Sequence, residues 1–408
     1  MNTSIKRQLE IIASRSINLV SKAELQRKLE KSIKENKPLR IKYGADPSAP
    51  DIHLGHVVGL NKLREFQDLG HIVVFIIGDF TGMIGDPSGR SETRKPLSRE
   101  EIAENARTYQ EQVFRILDPK KTEVCFNSEW CAGFNFESVL KLSARVTVAQ
   151  MLARDDFQKR FRENLPISIV EFIYPLIQGY DSVMVEADVE VGGTDQLFNL
   201  LVGRDLQKSF GNEQQVVLTL PLLEGLDGVK KMSKSLDNYV GISEPPKEMF
   251  GKIMSIPDKL MWRYFSLVLC RTESDVAALK KDMESGRRHP RDIKDELASD
   301  IVTAFHGKDA AKAASQEFSR VFSERKLPDE VPTATISTAK LIDGKMRIVT
   351  LLVAAGLAES NSAARRLVQQ SAVKLEGRKI SSIEAEVTID DDNILQAGKR
   401  GIIRLKII

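Results

Sequence analysis

Cysteine is scarce in this chain: Cys125, Cys131 and Cys270 are the three among 408 residues, an odd number with no CxxC pairing. That excludes a disulfide scaffold, argues against structural zinc, and fits a reducing, cytoplasmic setting. Long apolar runs are missing as well. Nothing approaches the ~18 residues of a membrane span, and the charged opening MNTSIKRQLEIIASRSINLV lacks a signal peptide's apolar block. The net charge is only +3, so no overall polycation draws the chain to acidic surfaces, and any nucleic-acid contact must be local. Histidine is sparse too, with five in all, and two of them share the string HLGH.

The length allows two or three domains. Residues 1–35 are charge-rich with helical periodicity, an arm leading into PLRIKYGADPS. That segment predicts a strand over Leu39 to Tyr43 and a Gly/Asp/Pro loop. A helix from about Leu54 to Leu69, stopped by Gly70, comes next, followed by the buried strand HIVVFIIGDF. Strand, helix and strand make a right-handed βαβ unit, so the expected fold is α/β, with a doubly wound, Rossmann-like parallel sheet over residues 36–225. Ligands in such sheets sit beyond the strands' carboxyl ends, where GADPS and GDFTGMIGDPSGR fall.

Residues 97–185 read as a mostly helical insertion, with ARVTVAQMLARDDFQKRF its clearest amphipathic piece. VGGTDQLFNLLVGRDLQKSF repeats the arrangement of glycine turn then helix, and QQVVLTLPLL returns as a strand. A polar loop over 226–243 opens a helical, charged domain reaching about residue 325. KLPDEVPTATISTAK, residues 326–340, reads as a linker. The tail, 341–408, is a small α+β domain with a helix over NSAARRLVQQ, two strands around a turn in AVKLEGRKI, and a last strand in GIIRLKII. It carries eleven Lys/Arg against eight Asp/Glu. Arg365, Arg366, Lys374, Arg378 and Lys379 lie in and after its helix, a candidate basic face for RNA.

Glycine inside a helix costs about 1 kcal/mol relative to alanine, so local stability does not choose Gly55 at the head of its helix. A helix N-terminus offers unpaired N–H groups and a positive dipole end, suited to polyphosphate. His53 and His56, three apart, project from one side of that first turn, and each can donate to a phosphate oxygen. Four residues alone are a weak signal, because a plain helix start gives the same string. A zinc site is weaker still, since His71, His289 and His306 lack ligand spacing. KKMSKS, residues 230–235, is far more specific: KMSKS arises by chance on the order of once in several thousand chains of this length. Lys231 and Lys234 bring two point charges, and Ser233 and Ser235 two hydroxyls. They sit after the turn LDG on a segment able to close over a triphosphate.

HLGH with KMSKS on a doubly wound sheet resembles the two signatures of class I aminoacyl-tRNA synthetases, with Leu54 in place of the usual isoleucine. YGADPSAPDIHLGH, FTGMIGDPSGRSETR, YPLIQGYD and VGGTDQ narrow the resemblance to bacterial tyrosyl-tRNA synthetases of the KMSKS branch. The tail is similar to their S4-type RNA-binding domain, and the match runs essentially end to end. The resemblance implies a tyrosine–tRNA ligase, homodimeric through the 97–185 insertion. Its substrates are L-tyrosine, ATP with Mg²⁺ and tRNA(Tyr), with no tightly bound protein metal.

By position, the resemblance implies Asp86 and Tyr174 at the substrate ammonium with Gln178 assisting, Gln196 at its carboxylate, and Asp181 at its phenolic hydroxyl. It implies Asp46 and Ser48 in the adenylate loop and Gly192 and Asp195 at the ribose. His53, Gly55, His56, Lys231, Lys234 and Ser235 surround the nucleotide, with Arg90 and Arg94 assisting pyrophosphate. The residues themselves agree in part: Tyr174, Gln178 and Asp181 stand at i, i+4 and i+7, one face of a helix. Two positions depart from the better-known branch. Lys42 stands where that branch has a tyrosine touching the substrate phenol, and Gly59 where it has a threonine near ATP, so hydroxyl recognition rests more heavily on Asp181.

Other readings stay open. A tryptophanyl relative could also use Asp181, but that family lacks such a tail. A non-catalytic RNA-binding paralogue would be free to lose His56, Lys231 or Lys234, and all are present. A nucleotidylyltransferase shares the HxGH start but leaves the tail and the tyrosine-pocket residues idle. In the synthetase reading no side-chain nucleophile is needed, because the tyrosine carboxylate attacks the α-phosphorus in line. Catalysis is then positioning plus stabilisation of charge on the phosphates. Replacing His56 by Asn is therefore expected to cut kcat for adenylate formation by about 10²-fold while leaving tyrosine affinity nearly intact. ATP/pyrophosphate exchange measures this, and an unchanged rate removes His56 from the site.

Overall fold

β-Branched and leucine-rich segments with few polar interruptions build the main sheet of the computed structural model, which describes residues 3–47, 51–85, 98–322, 331–338, 341, 344–398 and 401–408. Its strands are Asn18–Val20 (β1), Arg40–Ala45 (β2), Ile72–Ile77 (β3), Thr122–Phe126 (β4), Val189–Gly193 (β5) and Val216–Leu220 (β6), in the order β1-β6-β5-β2-β3-β4. β2 to β6 run parallel, and β1 lies antiparallel on β6. β3 and β6 are buried almost throughout, which is why both read as continuous apolar runs. From β2 the chain steps outward to β3 and β4, and β5 and β6 fill the other side. The direction of winding therefore switches between β2 and β5, and a crevice opens beyond Ala45 and Gly193.

The Leu54–Asp68 helix follows β2, with His53 as its N-cap in extended backbone (φ −119°, ψ 168°). It ends where Gly70 adopts φ 96°, a left-handed value that glycine takes without strain. One expectation, the 326–340 linker, needs correction, and three others gain detail. The N-terminal arm is docked: Ile5–Ala13 and Lys22–Glu35 bury Ile12, Leu25 and Leu29, β1 extends the sheet between them, and Lys28 pairs with Asp188 at 3.0 Å. The stretch 97–185 is mostly helical and also holds β4, an edge strand whose half-exposed TEVCF carries no continuous apolar run. ARVTVAQMLARDDFQKRF forms two short helices, Val148–Met151 and Asp155–Arg162, interrupted where Arg154 turns extended to cap the second. The 326–340 linker contains the strand Thr333–Ile336 (β7).

The chain divides into two compact units, Met1–Ser315 and Gln316–Ile408. In the second unit, β7 is joined by Lys345–Arg347 (β8), Val373–Leu375 (β9), Arg378–Ile380 (β10), Glu386–Thr388 (β11), Ile394–Ala397 (β12) and Gly401–Ile407 (β13). A five-stranded sheet runs β10-β9-β12-β13-β7, and β8 and β11 form a separate pair. The Ile348–Ala354 and Asn361–Gln369 helices cover a core that includes Leu351, Leu352, Val368, Leu395 and Leu405. Ser360 caps the second helix by accepting the Ala363 N–H at 3.2 Å. Among the described residues, no helix is long and apolar enough to cross a membrane.

Because β7 pairs in parallel with β13, a chain cut after residue 340 keeps a strand without its partner. A chain ending at 322 keeps the Lys308–Phe322 helix and no piece of the second sheet. Residues 1–322 are expected to unfold cooperatively near the temperature of the full chain's first unit, and residues 1–340 to aggregate more readily through the exposed edge. Circular dichroism melts and light scattering of both truncations check this.

Candidate active site

The β2–β5 ladder pairs only Ile41 with Val189 and Lys42 with Glu190, and past that point the two strands part. The space between them is a cavity of about 290 Å³. It gathers Asp46, His53, Gly55, His56, Tyr174, Gln178, Asp181, Gly192, Asp195, Gln196 and Lys231, most of the residues singled out from the sequence for tyrosine and ATP.

One end is closed by the Ile169–Met184 helix. Asp181 is buried there and accepts from the Trp130 indole N–H at 2.8 Å and, at 3.4 Å, from the Asn127 amide. Burial pushes its carboxyl up to about 7, against the pull of the Lys42 ammonium and the two donors. Tyr174 donates its hydroxyl proton to Asp46 at 2.7 Å, and Thr81 donates to the other Asp46 oxygen at 2.7 Å. Asn199 donates to the side-chain carbonyls of Gln178, at 3.0 Å, and Gln196, at 3.2 Å. Trp130, Asn127 and Asn199 escaped the sequence reading because no motif marks them, and Thr81 because its motif, FTGMIGDPSGRSETR, does not reveal its partner Asp46 on another segment. Lys42 does not line the cavity. It is wholly buried, with its ammonium 2.8 Å from Glu190 Oε1, 2.8 Å from the Gln178 carbonyl and 2.6 Å from the Ser182 hydroxyl.

At the other end the first turn of the Leu54–Asp68 helix faces the loop 224–241. The His53 and His56 rings stack at 3.8 Å between centroids, and His56 Nδ1 accepts the His53 backbone N–H at 3.2 Å. An Nδ1 that accepts leaves the proton of a neutral imidazole on Nε2, so His56 is an Nε2–H donor. Burial, helped by the neighbouring His56 ring and Lys234 ammonium, pushes His53 down to about 2, so it is neutral at physiological pH. A Cβ on Gly55 would stand 3.0 Å from the His53 ring and 3.6 Å from Met232 Cβ, and this close approach answers for the glycine. Gly59 is likewise fixed by packing, since a Cβ there would come within 2.8 Å of the Tyr43 ring.

The loop is stitched to the histidine segment by backbone. Leu54 N–H donates to the Val240 carbonyl and Ile242 N–H to the Ile52 carbonyl, both at 2.9 Å. Within the loop, buried Asn238 accepts the Ser233 N–H at 2.8 Å and donates to the Lys231 carbonyl at 3.2 Å. Met232 is buried under the cavity, and Lys231 reaches across to Asp195 at 2.7 Å. Lys234 and Ser235 do not line the cavity. The 3₁₀ turn Lys234–Leu236 carries Lys234 to the Asp51 carbonyl, and Ser235 shares a hydroxyl contact with Ser233 at 2.9 Å. Ser48, Asp86, Arg90 and Arg94 lie outside the described residues. In the second unit, Arg365, Arg366, Lys374, Arg378 and Lys379 are all exposed, and Lys374 stands directly opposite Lys379 on neighbouring strands.

Comparison with known proteins gives a consistent answer. Residues 34–323 match the family described as tRNA synthetases class I (W and Y), and residues 324–402 match the tyrosine–tRNA ligase SYY-like C-terminal domain. The chain is 52% identical over 405 residues to the tyrosine–tRNA ligase of Moorella thermoacetica, covering 99% of this chain and 97% of the relative. With that of Haemophilus influenzae it is 54% identical over 389 residues, covering 95% and 94%. Among solved structures, it resembles the tyrosyl-tRNA synthetase of Archaeoglobus fulgidus complexed with L-tyrosine (TM-score 0.62, 23% identity, covering 76% of this chain and 100% of that one). A C-terminally truncated mitochondrial tyrosyl-tRNA synthetase from Aspergillus nidulans gives a TM-score of 0.64 at 22% identity, covering 79% and 95%. At these identities the structures show a shared fold.

The raised carboxyl of Asp181 has a measurable consequence for stability. Between its ordinary value of 3.8 and about 7 the folded chain holds a proton that the unfolded chain has released, so this group's stabilising contribution is lost as pH rises through that window. Asp181→Asn has no such loss. Its unfolding midpoint relative to the unsubstituted chain is expected to be higher at pH 8 than at pH 5, as read by thermal melts at both values.

Proposed function

The chain belongs to the tyrosine–tRNA ligases among the class I tRNA synthetases, and from that premise we propose how its cavity divides the work. The enzyme activates L-tyrosine with ATP, giving tyrosyl-AMP and pyrophosphate, and then transfers the tyrosyl group to the 3′ end of tRNA. Tyrosine enters with its phenol toward Asp181. A buried carboxylate lacking its donor is far costlier than a lost methylene contact, which rejects phenylalanine, a rule for which tyrosyl-tRNA synthetases are themselves the standard illustration. Tyr174, its own proton committed to Asp46, turns oxygen lone pairs to the substrate ammonium, with Asp86 and Gln178 beside it. Gln196, oriented by Asn199, meets the carboxylate.

ATP, arriving as its Mg²⁺ complex, lies across Gly192 and Asp195 with its phosphates between the His53–His56 turn and the lysine loop. In this reading Arg90 and Arg94 assist the pyrophosphate, and Ser48 acts with Asp46 in the adenylate loop. The observation that carries this reading is the Lys231–Asp195 pair spanning the cavity mouth. The two side chains are 41% and 23% exposed, so the pair is worth about 0–1 kcal/mol and gives way readily to a polyanion. The ribose then takes Asp195, and Lys231 moves its charge to the phosphates. His56 adds its Nε2–H and neutral His53 a second polar contact, stabilising charge as the tyrosine carboxylate attacks the α-phosphorus. Lys234 and Ser235 act after the loop shifts from its hold on Asp51.

The second unit holds tRNA. Placing Lys374 opposite Lys379 costs stability in isolation and suits a polyanion, as do exposed Arg365, Arg366 and Arg378. A second copy of the chain covers the apolar side chains that Phe136, Leu140, Val148, Phe161 and Ile169 leave exposed, which makes the enzyme a homodimer.

Pyrophosphate exchange with each amino acid in turn tests the assignment. Tyrosine is expected to drive exchange, with phenylalanine and tryptophan near background, and a preference for tryptophan overturns the reading. Residues 1–322 are expected to keep tyrosine-dependent exchange and to lose tRNA charging, whereas equal loss of both refutes the division between the units.

A further inference from the structure

Lys42 is a buried cation whose surroundings the mechanism above does not use. It sits at the last paired position of the β2–β5 ladder, opposite Glu190, with both side chains shielded from solvent (0% and 1% exposed). Burying such a pair is not a stability device in itself, because desolvation offsets the attraction. The position of its bonds is informative. The ammonium reaches past Glu190 to the Gln178 carbonyl and the Ser182 hydroxyl, residues that bracket Asp181 on the Ile169–Met184 helix. Glu190 is held in turn by Ser182 at 3.1 Å and by Gln215.

We propose that Lys42 is a positioning residue for tyrosine selection: its ammonium clamps the helix turn carrying Asp181 against β2 and sets a positive charge behind the carboxyl group that meets the substrate's phenol. The inference rests on the tyrosine reading above and deepens it. A charge-assisted bond to an ionised acceptor is about twice as strong as its neutral counterpart, so the protonation state of Asp181 sets how well a phenol is held.

The titratable groups around Asp181 define the sign of the test. Lys42 on β2 lowers its carboxyl and Glu190 on β5 raises it, the lysine more strongly. Among the described residues Cys125 on β4 and Cys131 on the short helix after it also feel the Asp181 charge, and Tyr174 on the helix itself is committed to Asp46. Removing both charges must therefore shift the ionisation of Asp181 upward, and removing Glu190 alone must shift it downward.

Tyrosine KM in pyrophosphate exchange is measured from pH 5.5 to 9 for the unsubstituted enzyme, Lys42→Met/Glu190→Gln and Glu190→Gln, with ATP KM and kcat alongside. In the double variant the pH midpoint of tyrosine KM moves alkaline by about one unit, a rise of about tenfold in KM on the acid side. ATP KM stays unchanged. In Glu190→Gln the midpoint moves the other way. Residual phenylalanine exchange, which needs no phenol acceptor, shows neither shift. Midpoints that stay put, or that move in the same direction in both variants, overturn the proposal, and so does a KM change of equal size at every pH and for both amino acids. Either variant alone decides the sign should the other fail to fold. Absence of tyrosine-dependent exchange in the unsubstituted enzyme refutes the tyrosine reading instead.

Discussion

The site exists because two neighbouring parallel strands stop pairing. β2 and β5 are joined only through Ile41–Val189 and Lys42–Glu190, and above that last rung they diverge toward their carboxyl ends. A sheet whose chain winds outward in both directions from one gap needs no connection across it, so the gap can be filled by ligand instead of by loop. The Lys42–Glu190 pair occupies the final rung with charges instead of two valines. It thereby ties the floor of the cavity to the helix that holds Asp181.

Around that gap the groups of the candidate site are fixed by partners, most of them from elsewhere in the chain. Asp46 follows β2 but is held by Tyr174 and Thr81. Asp181 is held by Trp130 and Asn127, Gln178 and Gln196 by Asn199, and Lys231 by Asp195. Such preorganisation lowers the reorganisation needed when charge develops in the transition state. The lysine loop stands apart. It is anchored by backbone at 240 to 242 and by Asn238, while its Lys231 contact is partly exposed and exchangeable. An anchored base with a releasable tip is the arrangement a closing segment requires.

Much of this was legible in the residues. β3 declared itself through IVVFII, buried at nearly every position, and the Leu54–Asp68 helix through its apolar period and Gly70. Where the reading failed, the signal was absent. β4 is an edge strand with mixed exposure, and β7 is four residues hidden in a Pro/Thr-rich stretch. The N-terminal arm is helical as its periodicity indicates, but its many charges hide the side that buries Ile12, Leu25 and Leu29.

The sequence by itself determined the chemistry. HLGH, KMSKS, YPLIQGYD and VGGTDQ name the groups proposed to meet tyrosine and ATP, because function constrains residue type and short-range spacing together. Tertiary structure alone decided which of those groups face one cavity and in what state. That Lys42 turns away from the cavity, that Lys234 grips Asp51, that burial leaves His53 neutral, and that Asp181 titrates near 7 all depend on neighbours distant in the chain. Burial and charge act through space, and no local pattern of residues encodes them.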